Sequence, residues 1–132
     1  MGSLSRAFTI LIVEDYALIA LEVEDAVRRN GGQVLGPVAT VADAIRLLDT
    51  VQCDAALLDI KLMHGETTCS VAERLQARRI PFAFVTGWDG DIGPRFAQTP
   101  VLRKPFGEAE LDACLRALMG GVPAPVGARE AA

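Results

Sequence analysis

The chain has 132 residues, a hydrophobic content of 51% and a formal net charge of -4, which favour one domain able to bury its own core. No apolar run approaches the roughly 20 residues of a membrane helix, and the basic residues are not clustered, so neither a membrane nor a nucleic acid is expected as a partner. The first residues lack the pattern of a signal peptide. Three widely spaced cysteines suit a reducing compartment, and we expect a cytoplasmic protein.

Predicted strands and helices alternate along the chain. Apolar and β-branched runs predict five strands, at Phe8–Val13, Gln33–Ala39, Asp54–Asp59, Pro81–Thr86 and Val101–Leu102. Apolar residues at helical spacing predict four helices, at Ala17–Asn30, in the segment capped by Thr40, at Thr67–Arg79 and at Glu108–Met119. The segment Gly87–Gln98 is rich in glycine and turn-forming residues, so any further helix there should be short or mobile.

This alternation predicts an α/β fold, with a parallel sheet covered by helices on both faces. For five strands the flavodoxin-like (βα)5 arrangement with strand order 2-1-3-4-5 is the natural choice. We expect the domain to span residues 8–119. The termini, 1–7 and 120–132, are expected to be flexible, and the C-terminal one is rich in Gly, Ala and Pro.

Polar side chains stand at the ends of four predicted strands. Glu14 and Asp15 follow the first strand and Asp59 ends the third, so three carboxylates should meet at one edge of the sheet. Such a cluster repels itself unless a cation holds it, and oxygen ligands favour Mg²⁺. Any one of these acids alone fits a capping role, as Asp15 does for the following helix. Because Thr86 and Lys104 end the fourth and fifth strands, the five together indicate a cradle for a phosphoryl group.

The order and spacing of these motifs, over Phe8–Met119, resemble a receiver domain of a two-component response regulator. The resemblance implies that Asp59 accepts a phosphoryl group from a sensor histidine kinase or a histidine phosphotransfer protein. It implies that Mg²⁺ is held by Glu14, Asp15, Asp59 and the backbone carbonyl of Lys61. It further implies that Thr86 and Lys104 bind the phosphoryl oxygens, and that the peptide before Pro105 is cis.

Two positions depart from the common receiver pattern. Val101 stands where most receivers carry a Tyr or Phe that completes a switch with the threonine, and Met63 stands where the loop after the acceptor usually has a proline. The run Pro81–Trp88 resembles instead the FAT GUY subgroup, which places an aromatic residue just after Thr-Gly. That subgroup often consists of stand-alone receivers partnered with kinases of the HWE type. Trp88 would be the switch aromatic together with Thr86, or else a half-buried loop residue.

Other functions fit the residues less well. A phosphatase of the haloacid dehalogenase type would carry a second acid two residues after the nucleophile, where Lys61 stands. A receiver that serves only as a scaffold would be expected to have lost a site residue. We therefore expect a phosphoacceptor signalling domain rather than an enzyme with a separate substrate. The 13 residues after Met119 leave no room for a DNA-binding module, so its output should be a protein partner, unless the receiver was excised from a hybrid kinase.

Overall fold

The computed structural model describes residues 7–120, so the termini expected to be flexible lie, apart from Ala7 and Gly120, outside the described residues. The strands β1 to β5 are Thr9–Val13, Gln33–Val38, Ala55–Leu58, Phe82–Thr86 and Val101–Arg103. The helices α1 to α4 are Ala17–Arg29, Val41–Thr50, Cys69–Ala77 and Glu108–Met119. Two short 3-10 turns, Met63–Gly65 and Pro94–Phe96, lie in the loops after β3 and β4. Within residues 7–120, no helix has the length and apolar character needed to span a membrane.

The five strands form one parallel sheet in the order β2-β1-β3-β4-β5, which confirms the predicted flavodoxin-like architecture. β1 and β3 are paired from Ile10 opposite Ala55 to Val13 opposite Leu58. The chain leaves β1 toward β2 on one side and later returns through β3 on the other side. This reversal opens a crevice beyond the carboxyl ends of β1 and β3, which is where open α/β sheets bind ligands.

The central strand β1 shows why helices cover both faces of the sheet. Its residues Leu11 and Val13 are fully buried in a core cluster with side chains of α2 and α3. The alternate residues, Ile10 and Ile12, are buried in a second cluster with side chains of α1 and α4. Since both faces of the strand are buried, its sequence is a continuous apolar run rather than an alternating one.

The connection between β4 and β5 holds only the short turn Pro94–Phe96 among its described residues. Its three glycines disfavour a helix, and Gly93 adopts a φ of 87° just before the turn. Phe96 anchors the connection, because its ring meets those of Phe82 and Phe84 edge-on with centroids 6.3 Å and 5.6 Å apart. The expectation of a short helical segment here is confirmed.

The predicted bounds of α3 are wrong by two residues at each end. Thr67, the expected first residue, forms an antiparallel bridge with Lys61 and thus belongs to the loop after β3. Arg79, the expected last residue, has a φ of 59°, which a right-handed helix cannot contain. The helix therefore runs from Cys69 to Ala77.

Candidate functional site

Three carboxylates meet at the carboxyl ends of β1 and β3. Glu14 and Asp15 follow β1 directly, Asp59 follows β3, and one oxygen of each lies within 4.8 Å of the others. The Asp59 backbone N–H donates to the Val13 carbonyl at 2.9 Å, which extends the pairing of the two strands up to the site. Glu14 and Asp59 are only 5% and 7% exposed. A cluster of carboxylate oxygens in which Glu14 and Asp59 are buried and Asp15 is partly buried suits a hard cation such as Mg²⁺.

Lys104 supplies a positive charge inside this cluster. Its ammonium donates to Glu14 Oε1 at 2.8 Å and to Asp59 Oδ2 at 3.0 Å. The Lys104 backbone N–H donates to the Thr86 carbonyl at 2.9 Å, so the end of β5 is fixed against the end of β4. The peptide between Lys104 and Pro105 is cis, as the receiver resemblance implies. The chain thus carries its own counter-ion for two of the three carboxylates.

The proton affinities of Glu14 and Lys104 reflect this burial and pairing. Burial raises the pKa of the Glu14 carboxyl above its ordinary value of 4.5, and the nearby charge of Asp59 acts in the same direction. The hydrogen bond from Lys104 offsets only part of this increase in pKa. Burial acts to lower the pKa of Lys104, but the hydrogen bonds to Glu14 and Asp59 outweigh it, so the pKa lies above 10.5. Lys104 is therefore a cation at neutral pH.

Met63, one of the two departures from the receiver pattern, contacts the site through its backbone. Its N–H donates a short hydrogen bond to Asp15 Oδ2 across the crevice. A proline at this position would have no N–H to donate. On the opposite side, the Tyr16 N–H donates to Glu14 Oε2 at 3.2 Å. Backbone donors therefore orient two of the three carboxylates.

Thr86 lies at the end of β4 and is 1% exposed. Its Oγ1 accepts a hydrogen bond from the Trp88 backbone N–H at 3.1 Å. Trp88 is partly buried against the core cluster on the α2 and α3 side, and the Lys61 ammonium lies 5.8 Å from the centroid of its ring. Val101 is partly buried against the same cluster and pairs with Phe84 in the sheet. The switch roles of Thr86, Trp88 and Val101 stay predictions, as does the Lys61 carbonyl as a metal ligand.

Two further residues contact the site that the sequence patterns did not single out. Thr68 is fully buried, and its hydroxyl donates to the Asp59 carbonyl at 2.7 Å, so it fixes the backbone at Asp59. Its sequence signal was weak, because a threonine near a helix start commonly bonds local backbone. Arg103 donates from Nη1 to the Trp88 carbonyl at 2.6 Å. Sequence spacing does not predict this contact, because the position of the Trp88 carbonyl depends on how the loop after β4 folds.

No family model matches the chain. The solution structure of SdrG from Sphingomonas melonis Fr1 is 43% identical, with a TM-score of 0.77, and the match covers 88% of this chain and 99% of that one. The BeF3-activated conformation of SdrG from Pseudomonas melonis Fr1 matches at the same identity and coverage with a TM-score of 0.72.

Two further matches extend the comparison. The curated phyllosphere-induced regulator PhyR of Methylorubrum extorquens is 29% identical over 113 residues, which are 83% of this chain and 42% of that protein. The chain spans less than half the length of the curated relatives it matches. The receiver domain of the sensor histidine kinase PA1611 from Pseudomonas aeruginosa, solved with magnesium in its active-site cleft, is 29% identical with a TM-score of 0.71 over 87% of this chain and 99% of that one.

The fold and the acidic crevice at the reversal of strand order define an α/β domain of the flavodoxin-like type with a candidate cation site. With the identity and coverage of SdrG, the assignment becomes specific: the chain belongs to the response regulator receiver domains of two-component systems.

Proposed function

We propose that the chain accepts a phosphoryl group on Asp59 from a phosphohistidine of a sensor histidine kinase or a histidine phosphotransfer protein. One observation carries this proposal. The Asp59 carboxylate lies in the crevice with oxygens of Glu14 and Asp15 within 4.8 Å and the Lys104 ammonium at 3.0 Å. The structure thus brings together a nucleophile and groups that can offset the charge of a phosphoryl group. Positioning and charge neutralisation are the main contributions that a protein makes to phosphoryl transfer.

In the proposed reaction an Asp59 oxygen attacks the phosphorus, the bond from phosphorus to the histidine nitrogen breaks, and the imidazole leaves with that electron pair. The product is an aspartyl phosphate. Lys104 already contacts Asp59 and would follow the charge onto a phosphoryl oxygen, while the Thr86 hydroxyl would donate to another. A carboxylate nucleophile needs no separate general base.

A divalent cation fits the donor set of this crevice. Glu14, Asp15 and Asp59 present oxygen ligands within 4.8 Å of one another, and the Lys61 carbonyl is the further ligand that we assign. When bound, Mg²⁺ would neutralise charge on the transferring phosphoryl group and its acceptor. The presence of magnesium in the cleft of the PA1611 receiver supports this assignment.

We further propose a single-domain response regulator whose output is the binding of a downstream protein, with a receiver excised from a hybrid histidine kinase as the alternative. The FAT GUY resemblance of Pro81–Trp88 supports the first assignment. The same resemblance favours a kinase of the HWE type as the phosphoryl donor. The BeF3-activated form of SdrG makes beryllofluoride the natural stand-in for the phosphoryl group on Asp59.

The test is phosphorylation by a small donor. The protein is incubated with acetyl phosphate and Mg²⁺, and intact mass spectrometry is expected to show the gain of one phosphoryl group. Asp59→Asn should show no gain, and EDTA should suppress it in the wild type. Asp54→Asn is the matched control, because Asp54 lies at the other end of β3 and accepts from the Thr9 N–H at 2.7 Å. No gain in the wild type, or an equal gain in Asp59→Asn, contradicts the proposal.

A further inference from the structure

Trp88 is held by groups that belong to three different strand ends. Its backbone N–H donates to Thr86 Oγ1 at the end of β4, at 3.1 Å. Its carbonyl accepts from Arg103 Nη1 at the end of β5, at 2.6 Å. The face of its indole lies 5.8 Å from the ammonium of Lys61, which follows β3. The position of Trp88 is therefore tied to the neighbours of the acceptor Asp59 and of Lys104.

The contact with Thr86 conflicts with the role that Thr86 takes in the proposed function. A hydroxyl can accept one hydrogen bond and donate another, but reaching a phosphoryl group on Asp59 would require the Thr86 oxygen to move to another χ1 rotamer. The oxygen would then leave the Trp88 N–H, and that donor would lose its partner. In the proposed function, phosphorylation would thus break one of the two backbone hydrogen bonds that hold Trp88.

Arg103 makes the other of these two bonds. It stands opposite Thr86 in the pairing of β4 and β5 and directly precedes Lys104, yet its side chain is exposed and folds over the loop to reach the Trp88 carbonyl. A guanidinium stays charged at any ordinary pH, and a charged donor at 2.6 Å makes a stronger bond than a neutral one. While this bond holds, Trp88 and its N–H stay in place to bind Thr86.

We propose that Arg103 is a positioning residue that latches the loop after β4 in the resting arrangement and thereby opposes the movement of Thr86 onto the phosphoryl group. The inference rests on the proposed phosphorylation of Asp59. It adds a residue that sets how readily phosphorylation produces the conformational change. Loss of the latch should shift the equilibrium toward the activated conformation and so raise the affinity for a phosphoryl mimic.

The test is a titration with beryllofluoride in excess Mg²⁺, followed by the fluorescence of Trp88, the only tryptophan in the chain. Arg103→Ala should bind beryllofluoride about fivefold more tightly than the wild type, as the loss of one charge-assisted hydrogen bond to a partly exposed group predicts. Arg103→Lys, which keeps a charged donor, should lie closer to the wild type. Arg46→Ala is the matched control, because Arg46 is an exposed arginine paired with Asp43 on α2.

The direction in which the affinity for beryllofluoride changes distinguishes the latch from a purely electrostatic or structural role of Arg103. Removing a positive charge next to Lys104 would by itself weaken the binding of an anionic group, and a merely structural loss would weaken it too. Unchanged or weaker binding by Arg103→Ala therefore overturns the proposal. Arg103→Ala combined with Asp59→Asn should give no response, which shows that the signal arises at the acceptor.

A measurement without ligand keeps the two proposals apart. If the wild type binds no beryllofluoride, the proposed phosphorylation fails, and the latch is then judged by acrylamide quenching of Trp88 in the free proteins. Arg103→Ala should be quenched about twofold more strongly than the wild type, because the loop that carries a partly buried indole is released. Equal quenching would overturn the latch.

Discussion

Replacing Lys104 with methionine should destabilise the metal-free protein and strengthen its binding of Mg²⁺. Methionine retains an unbranched apolar side chain but removes the ammonium that lies 2.8 Å from Glu14 Oε1 and 3.0 Å from Asp59 Oδ2. Those two carboxylates and Asp15 then face one another without the lysine, while the oxygens that a cation would bind are no longer occupied.

The magnitude follows from charges at these distances. Each contact of Lys104 with a carboxylate has a gross attraction of about 6 kcal/mol at an effective dielectric constant of about 20. Most of this attraction is cancelled by the cost of desolvating the ions. Carboxylates within 4.8 Å repel one another by about 3 kcal/mol or more on the same scale. Because the Lys104 side chain keeps 19% exposure, water screens part of both effects, and we expect the free energy of unfolding to fall by about 2 to 3 kcal/mol.

Urea unfolding in EDTA and in Mg²⁺ measures the first effect, and calorimetric titration with Mg²⁺ measures the second. Lys104→Met should bind Mg²⁺ about tenfold more tightly, a change of about 1.4 kcal/mol. Mg²⁺ at 100 times its dissociation constant adds about 2.7 kcal/mol, so the metal should restore most of the lost stability. Arg46→Ala removes an exposed cation paired with Asp43 on α2 as a control. Unchanged stability in EDTA, or weaker binding of Mg²⁺ by Lys104→Met, would refute the reasoning.

Two predictions concern an aromatic cluster and an ion pair. Phe96→Ala should lower the free energy of unfolding by about 3 to 4 kcal/mol, because a ring that is 3% exposed leaves a cavity beside Phe82 and Phe84; a loss below about 1 kcal/mol in urea unfolding would show that the ring does not anchor the connection from β4 to β5. Asp112→Asn tests how stability depends on pH. Hydrogen bonds from Arg29, and to a lesser extent from Asn30, hold the pKa of Asp112 below 3.8 in the folded protein. The ionised Asp112 therefore stabilises the fold above pH 3.8, and this stabilisation is lost as pH falls through the folded-state pKa. The variant should be less stable at pH 7 and approach the wild type in acid, and a difference that is constant with pH would contradict this.

The sheet and the gathering of the acids could be predicted because both depend on short-range patterns. Ala55–Leu58 is a continuous apolar run, which suits a strand buried on both faces, and the structure buries all four residues. When such strands are parallel, the residues that follow their carboxyl ends lie along the same edge of the sheet. The positions of Glu14, Asp15 and Asp59 along the chain were then enough to bring them together.

The contacts made through backbone groups could not be predicted in this way. Thr68, Met63 and Arg103 each bond a partner whose position depends on the path of a loop, and every residue except proline carries the same N–H and carbonyl. The start of α3 shows the same limit, since Thr67 has ordinary helical neighbours but pairs with Lys61 in the loop. Sequence patterns reveal which donors exist, and the tertiary structure decides which acceptor each one meets.

These contacts have a common consequence for the proposed switch. Asp59 is bonded to Lys104, the Thr86 hydroxyl to the Trp88 N–H, and Asp15 to the Met63 N–H, so the chain already provides a partner for these three groups that the phosphoryl chemistry would use. Activation therefore exchanges hydrogen bonds rather than adding them to unpaired groups. Such an exchange leaves a small free-energy difference between the two arrangements, which one phosphoryl group can reverse.

The size of that reversal can be bounded. Moving an equilibrium from 1:99 to 99:1 takes about 5.5 kcal/mol. Two charge-assisted hydrogen bonds to phosphoryl oxygens, one from Lys104 and one from Thr86, supply about 3 to 6 kcal/mol at about 1.5 to 3 kcal/mol each, so only the upper part of this range reaches that amount. The resting contacts must then cost less than this to release, and an exposed hydrogen bond such as that of Arg103 meets the condition.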